Sequence, residues 1–358
     1  MPTTLKAHRN WLRFSLRGVL LLMAVAAVPL AWLGQELRQA RRQRIAIEEL
    51  GKLDWIAQYY RDESSDAWSD FRRKVLSFFG EDSADVSSLG PPLSRPAKIS
   101  DATLVHLPAL VRLRSLELDG QEVTDAGLVQ LRGLSHLEEL RLFSTQVTDA
   151  GLVHLANLSR LRSVTFDQTP ITDAGLVHLR GLEQLLNVSL IETKVTDAGL
   201  IHLQGLTELT WLKLDELPIS DAGLRTLQGM TGLFCLSLKG TQVTDAGLVH
   251  LRGFSHLHVL DLSATQITDT GLIHLRELKK VHSLSLRQTA ITNSGLAQLR
   301  SLVALESLDL SATQVTDAGL ESLNGLQRLR RLELYQCPIT EPAEQKLKQA
   351  IPFLEIYY

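Results

Sequence analysis

Thr124-Asp125-Ala126-Gly127-Leu128 recurs down the chain at a fixed step. Its aspartate returns as Asp149, Asp173, Asp197, Asp221, Asp245, Asp269 and Asp317, with Asn293 in the one remaining place. Every step is 24 residues, and nothing is inserted or lost across nine units. So strict a period, within the range of roughly 20–50 residues, marks one structural unit stacked on copies of itself. That settles the architecture before any ligand is considered.

Outward from this motif, the unit beginning at Leu113 has apolar residues at Leu113, Leu116, Leu118, Val123, Leu128, Leu131 and Leu134. Leu116-Glu117-Leu118 alternates, which predicts a short strand with both leucines on one face. The leucines three apart predict a helix from Asp125 to about Leu134. Thr124 or Asp125 stands where a side-chain oxygen can cap its first turn. Gly127 also recurs, through Gly151, Gly175 and onward to Gly319. Glycine is a poor helix former, so its return predicts close approach of this backbone to the neighbouring coil. One unit buries too little to fold alone, and stacking makes stability collective. Strands stack about 4.8 Å apart and packed helices need about 8–10 Å. The mismatch predicts a bent array with its strands on the concave side.

The pattern L-x-x-L-x-L-x-x-T-x-V/I-T-D-A-G-L-x-x-L-x-x-L, seen from Leu257 to Leu278, resembles the leucine-rich repeat family. It is most similar to the cysteine-containing subtype. The resemblance covers about Ile99 to Tyr358. It implies an α/β leucine-rich repeat solenoid, a curved horseshoe with a parallel β-sheet on the concave face and helices on the convex face. Membrane-anchored repeat proteins with near-identical units look like an expanded bacterial group. The family places Asn or Cys at the turn after the strand. This chain has Thr145, Thr169, Thr193, Thr241, Thr265, Thr289 and Thr313, with Gln121 and Cys337 near the ends. A hydroxyl both donates and accepts, so a threonine ladder can serve the buried turn backbone. Leu217, inside Asp215-Glu216-Leu217-Pro218, breaks the ladder and predicts a local irregularity.

The segments before the repeats differ in kind. Residues 1–17 form a basic tail. Gly18 to Gly34 is a 17-residue run without a charge, preceded by Arg9, Arg13 and Arg17 and followed by Arg38, Arg41, Arg42 and Arg44. The expectation is an uncleaved single-pass transmembrane helix at 18–34. A signal peptide is the rival, but the small residues Ala24-Val25-Ala26 fall in mid-run and Trp32-Leu33 continue it. Both flanks are basic, which leaves the side of the membrane open. A juxtamembrane helix is expected over 35–50 and an amino-terminal cap over 51–98. In that cap Trp55 to Tyr60 predicts a strand, Trp68, Phe71, Val75, Leu76 and Phe79 an amphipathic helix, and Asp85 to Leu89 an edge strand. Pro91, Pro92 and Pro96 mark the exit. The repeat domain is 99–358, with Phe353 to Tyr358 as its closing strand.

A net charge of −3 gives no electrostatic case for nucleic acid. Cys235 and Cys337, the two cysteines, are too few for a disulfide framework and sit about four coils apart. His106, His154, His178, His202, His250 and His274 share one helix position. Coils spread them too far apart to converge on one ion. The aspartate row is read as helix capping. No phosphate loop, metal-ligand motif or nucleophile elbow is present, so no cofactor, metal, small-molecule substrate or enzymatic role is expected.

What varies between units is the outward row of the sheet. Alternation turns Arg141, Lys213, Phe143, Asp167, Ile191 and Asp215 to the concave surface, and Trp211 with them. Phe143, Ile191 and Trp211 are large apolar groups in a polar sheet, the pattern of a binding hot spot. The mixed charges around them suit a protein or peptide partner. The leading expectation is a membrane-tethered, non-enzymatic interaction module. Two alternatives stand beside it. One is an F-box-like substrate-recognition protein of the ubiquitin-ligase type, which needs an adaptor-binding segment that residues 45–98 do not show. The other is a structural envelope protein.

Overall fold

The computed structural model describes residues 16–51, 56–60, 85–90, 100–120 and 122–358. Contacts divide the chain into two units, residues 1–48 with 61–84, and residues 49–60 with 85–358. A continuous helix at Leu16–Gly51 supplies the described part of the first. It runs without a break through the two helical segments expected at 18–34 and 35–50. Among the described residues no helix is long and apolar enough to cross a membrane. The structure therefore does not support the span expected at 18–34, whose side chains up to residue 26 and at 29 lie outside the described residues. The amphipathic helix expected around Trp68 to Phe79 and the proline-marked exit also lie outside them.

The second unit has two strands ahead of the repeats and then one short strand for each 24-residue period. They are β1 (Ile56–Tyr60), β2 (Asp85–Gly90), β3 (Ser115–Glu117), β4 (Glu139–Arg141), β5 (Ser163–Thr165), β6 (Asn187–Ser189) and β7 (Trp211–Lys213). Then follow β8 (Cys235–Ser237), β9 (Val259–Asp261), β10 (Ser283–Ser285), β11 (Ser307–Asp309), β12 (Arg331–Glu333) and β13 (Glu355–Tyr357). They form one open sheet in chain order. Strands β2 to β13 are parallel, and β1 runs antiparallel to β2. The outermost strand is thus β1, not Asp85–Leu89 as the sequence suggested. Leu116 pairs with Leu140, then Val164, Val188, Leu212 and Leu236, with no slip. These side chains are buried. Because side chains alternate across a strand, this register sends all the strand leucines to one face.

The return segment is tighter than expected. Instead of a helix to Leu134, one α-turn at Asp125–Leu128 passes into a 3₁₀ turn at Val129–Leu131. In other coils 3₁₀ structure takes over entirely, as at Gly247–Gly253. The cause lies in the spacing. Leu128, Leu131, Leu134 and Leu137 are uniformly three apart and all buried. A 3₁₀ turn has three residues per turn and aligns them, whereas a longer α-helix would rotate them off the core.

The aspartate row also differs from expectation. Asp125 Oδ1 accepts the Thr148 backbone N–H at 2.7 Å, and its Oδ2 accepts the Thr148 hydroxyl at 2.6 Å. The same pair of bonds joins Asp149 to Thr172 and continues to Asp317 and Thr340. Each aspartate therefore clasps the next coil, while the threonine supplies the local cap. The glycine makes this possible. A Cβ on Gly151 would lie 2.5 Å from Asp125 Oδ1, so the residue leaves room for a carboxylate rather than for backbone. Asn293 keeps the bracket by accepting from Thr316 N at 2.9 Å and donating Nδ2 to Thr316 Oγ1 at 2.8 Å. Thr316 then does not cap its own turn, and neither does Thr340 at the last bracket.

The threonine ladder works within each coil. Thr145 donates to Leu142 O at 2.9 Å and Thr193 to Leu190 O at 2.9 Å, both buried. Leu217 causes no irregularity. It is buried in its turn and β7 stays in register with β8. At the carboxyl end a helix at Glu341–Ala350 leads into β13, which pairs parallel with β12.

Candidate binding face

The brackets and the constant register place residues 24 apart in straight columns across the sheet. Counting from the first residue of each strand, positions one, three and five project away from the leucine core. Phe143 is 37% exposed and Trp211 41%. Arg141 and Lys213 are exposed; Asp167, Ile191 and Asp215 are half-buried. Arg141 is tied within the face, 2.6 Å from Asp119 and 3.6 Å from Glu117.

The structure does not gather the three apolar residues into one cluster. Phe143 and Ile191 share the fifth column, two coils apart. Trp211 is in the first column, four residues back along the strand direction, or roughly 13 Å at 3.3 Å per residue. Its partners are others. The Trp211 ring stacks on Phe234 at 5.8 Å between centroids, Phe234 on His258 at 4.3 Å, and His258 on His282 at 4.9 Å. The rings of the last two pairs are nearly parallel, at 13° and 5°. Phe234 is itself 37% exposed. The sequence reading missed this ladder, although Phe234, His258 and His282 sit 24 apart just before their strands. A coil spacing of about 4.8 Å is close to ring-stacking distance, so planar side chains in one column are brought to stack.

A second feature was also missed. The fifth column alternates between short acceptors and long side chains: Asp119, Phe143, Asp167, Ile191, Asp215, Lys239, Ser263, Arg287, Ser311, Tyr335. The short residue accepts the backbone N–H of the long one in the next coil. Asp119 takes Phe143 N at 3.3 Å, Asp167 takes Ile191 N at 2.9 Å, and Ser311 takes Tyr335 N at 3.2 Å. The long side chains are left to project at every second coil.

The two halves of the face differ electrostatically. Burial pushes the Asp167 and Asp215 carboxyls above their ordinary range, more than hydrogen bonds and Lys213 bring them down. Asp215 Oδ1 is buried without a partner. Burial likewise raises the Cys235 thiol to about 11, so it stays protonated at neutral pH. From β9 onward the polar groups satisfy one another. Ser263 N donates to Asp261 at 2.8 Å, Ser263 and Ser285 share a hydrogen bond of 2.7 Å, and Ser311 N donates to Asp309 at 2.8 Å.

Two members of the histidine column are engaged by arginines, His154 Nδ1 by Arg132 Nε at 2.9 Å and His274 Nδ1 by Arg252 at 2.8 Å. Partial burial, then Arg132, lowers the His154 pKa. Among the described residues no group of three or more His, Cys, Asp or Glu side chains could hold a metal ion.

A family model described as "Leucine Rich repeat" matches residues 133–156, 255–275 and 304–323. These segments lie within the stacked coils and carry the leucine-rich repeat pattern, and the fold is that of an α/β leucine-rich repeat solenoid. No curated protein sequence matches it. Among solved structures, it is similar to an internalin, InlF, from Listeria monocytogenes str. 4b F2365. The TM-score is 0.52 at 21% identity, over 82% of this chain and 94% of that one. Internalin C2 (InlC2) of the same strain gives 0.45 at 24%, over 59% and 82%. A plant peptide hormone receptor, RGFR1, solved in complex with RGF2, gives 0.44 at 14%, over 68% and 39%. The first shows the shared fold.

Proposed function

We propose that this chain is a non-enzymatic interaction module that binds a protein or peptide on its strand face and is held at a membrane by residues 18–34. One observation carries the binding reading. Exposed aromatic side chains, Trp211 and Phe234, stack on each other on a sheet face that is otherwise mostly polar. Large apolar groups so displayed are what interface hot spots are made of. The tether rests on the uncharged run Gly18 to Gly34 and its arginine flanks. The end cap is assigned to 51–98, where β1 and β2 extend the sheet beyond β3. A bacterial setting follows from the resemblance of the repeat units.

Proximity labelling from the repeat domain in the native cell, comparing the parent with a Trp211→Ala/Phe234→Ala variant, tests the binding face. The expected result is a set of labelled proteins lost in the variant. An identical set would refute it. Fractionation of a chain lacking residues 1–34 tests the tether: it should leave the membrane pellet, and continued pelleting would refute a single amino-terminal anchor.

A further inference from the structure

We propose that the loops leading into β10, β11 and β12 form a cleft that binds a phosphate monoester. The site is separate from the outward columns of the sheet and does not depend on the strand-face reading.

The sequence builds the cleft by leaving a gap in a basic column. Each loop carries two residues between apolar ones: Lys279-Lys280 between Leu278 and Val281, Val303-Ala304 between Leu302 and Leu305, Gln327-Arg328 between Leu326 and Leu329. The flanking apolar residues are buried in the core. Lys279, Lys280, Gln327 and Arg328 are exposed. Ala304 occupies the place that Lys280 holds one coil before and Arg328 one coil after, and its side chain is too short to fill it. A cleft of about 560 Å³ opens over Val303 and Ala304, lined from the preceding coil by Lys279, Lys280 and His282 and from the following coil by Gln327 and Arg328. That volume falls within the range of roughly 300–1,000 Å³ usual for small-ligand sites.

Charge selects the occupant. Two lysines and an arginine line the cleft, and no acidic residue does. Glu277 and Glu306, the acidic residues of these loops, are not in its walls. Lys279 donates to Ser301 O at 3.2 Å and keeps two further N–H donors. Lys280 and Arg328 make no hydrogen bond or ion pair among the described residues. By contrast, Arg141, Lys239 and Arg331 are each tied to a carboxylate. At about 4.8 Å per coil, Lys280 and Arg328 start roughly 10 Å apart. The gap admits one oxyanion with charge-assisted contacts of about 2.8 Å from both sides. A phosphate monoester brings a charge of about −1.5 to −2 and three acceptor oxygens, which answers this set of cations better than the single charge of a carboxylate. Val303, 59% exposed, offers an apolar floor to the organic part of the ester.

Isothermal titration of the intact chain with phenyl phosphate, in a phosphate-free buffer of low salt, is the test. One molecule should bind per chain. Lys280→Ala/Arg328→Ala should weaken binding at least about tenfold, the loss of two charge-assisted contacts. Both side chains are exposed and unbonded, so its melting curve should match the parent's. Ala304→Arg should abolish binding although it adds a positive charge, because it fills the gap. Benzoate and inorganic phosphate should each bind more weakly than phenyl phosphate, and phenol should not bind. The inference is overturned if phenyl phosphate fails to bind, if the double variant binds it as well, or if benzoate binds equally. It is also overturned if Ala304→Arg binds as tightly or more tightly, which would reveal a diffuse basic surface in place of a cleft. A phosphotyrosine flanked by two glycines on each side separates the sources of the ester. Binding as tight as that of phenyl phosphate supports the site and assigns it a phosphorylated side chain; weaker binding supports the site and assigns it a free small ester.

Discussion

Strands β4–β8 and β9–β12 belong to one sheet with one register, yet their outward faces are in different states. In the second group Asp261, Ser263, Ser285 and Asp309 bond to each other and leave little unmet. In the first, the half-buried Asp215 keeps one oxygen without a partner, while exposed aromatics occur in both, Phe143 and Trp211 in the first and Tyr335 in the second. Identical scaffolds beneath mean that the difference is not one of folding. The brackets do the same work in every coil, from Asp101 to Asp317. Stability here lies in what repeats, and the proposed binding face in what varies between coils.

The comparison breaks most violently at the shared core. Leu262→Asp buries an unpaired charge between coils and should cost more than about 4 kcal/mol, unfolding the array in both halves at once. Circular dichroism that still reports a folded chain would contradict a common stacked core. Next comes the bracket. Asp245→Ala removes the acceptor of Thr268 N and of the Thr268 hydroxyl and should cost about 2–4 kcal/mol in urea titrations. Asp245→Asn should cost clearly less, because Asn293 performs the same task natively. Equal losses for the two variants would show that the bracket is not what the aspartate contributes.

Much of this was legible in the residues. Period, strand alternation and in-register leucines follow from side chains that need only local geometry to be read. The threonine ladder was also readable, because its bonds close within one turn. The brackets were not. Asp125 and Thr148 meet only after stacking, and each alone looks like an ordinary cap. The 3₁₀ turns were hidden because leucines three apart belong equally to the start of an α-stripe; the missing steps of four were the sign. The aromatic ladder and the alternation of Asp167 with Ile191 lay in the columns, but their meaning depends on ring spacing and on which backbone N–H groups lack a strand partner. For the binding residues, alternation placed each side chain on the right face and could not say that Trp211 turns toward Phe234, away from Ile191.

A smaller effect is expected at the aromatic ladder. Trp211→Ala with Phe234→Ala removes two of the three stacked pairs, each worth about 0.5–1 kcal/mol, from side chains already well exposed. Denaturation midpoints should move little while partner labelling is lost. A large fall in stability would assign the ladder to the scaffold and dissolve the distinction between what repeats and what varies.

The smallest shift is the sharpest, because its sign is opposite to that of the bracket. Burial, then repulsion from Asp261, raises the folded-state Asp215 carboxyl, though Ser237 and Lys213 oppose it. Its ionisation therefore destabilises the fold. The penalty is absent below the unfolded-state pKa and complete above the raised folded value. Asp215→Asn should consequently raise the melting temperature slightly at neutral pH, and the gain should vanish as pH falls through that raised value. Asp245 behaves in the other sense. Burial alone would raise it, but hydrogen bonds from Thr268, Thr270 and the Gly271 backbone together hold it low. Its stabilisation is present above the unfolded pKa and is lost as pH falls through the depressed folded value. Melting curves of the two Asn variants against the parent, taken from neutral to acidic pH, should thus begin on opposite sides of zero and converge. A destabilised Asp215→Asn protein at neutral pH would mean that this carboxylate serves the scaffold after all.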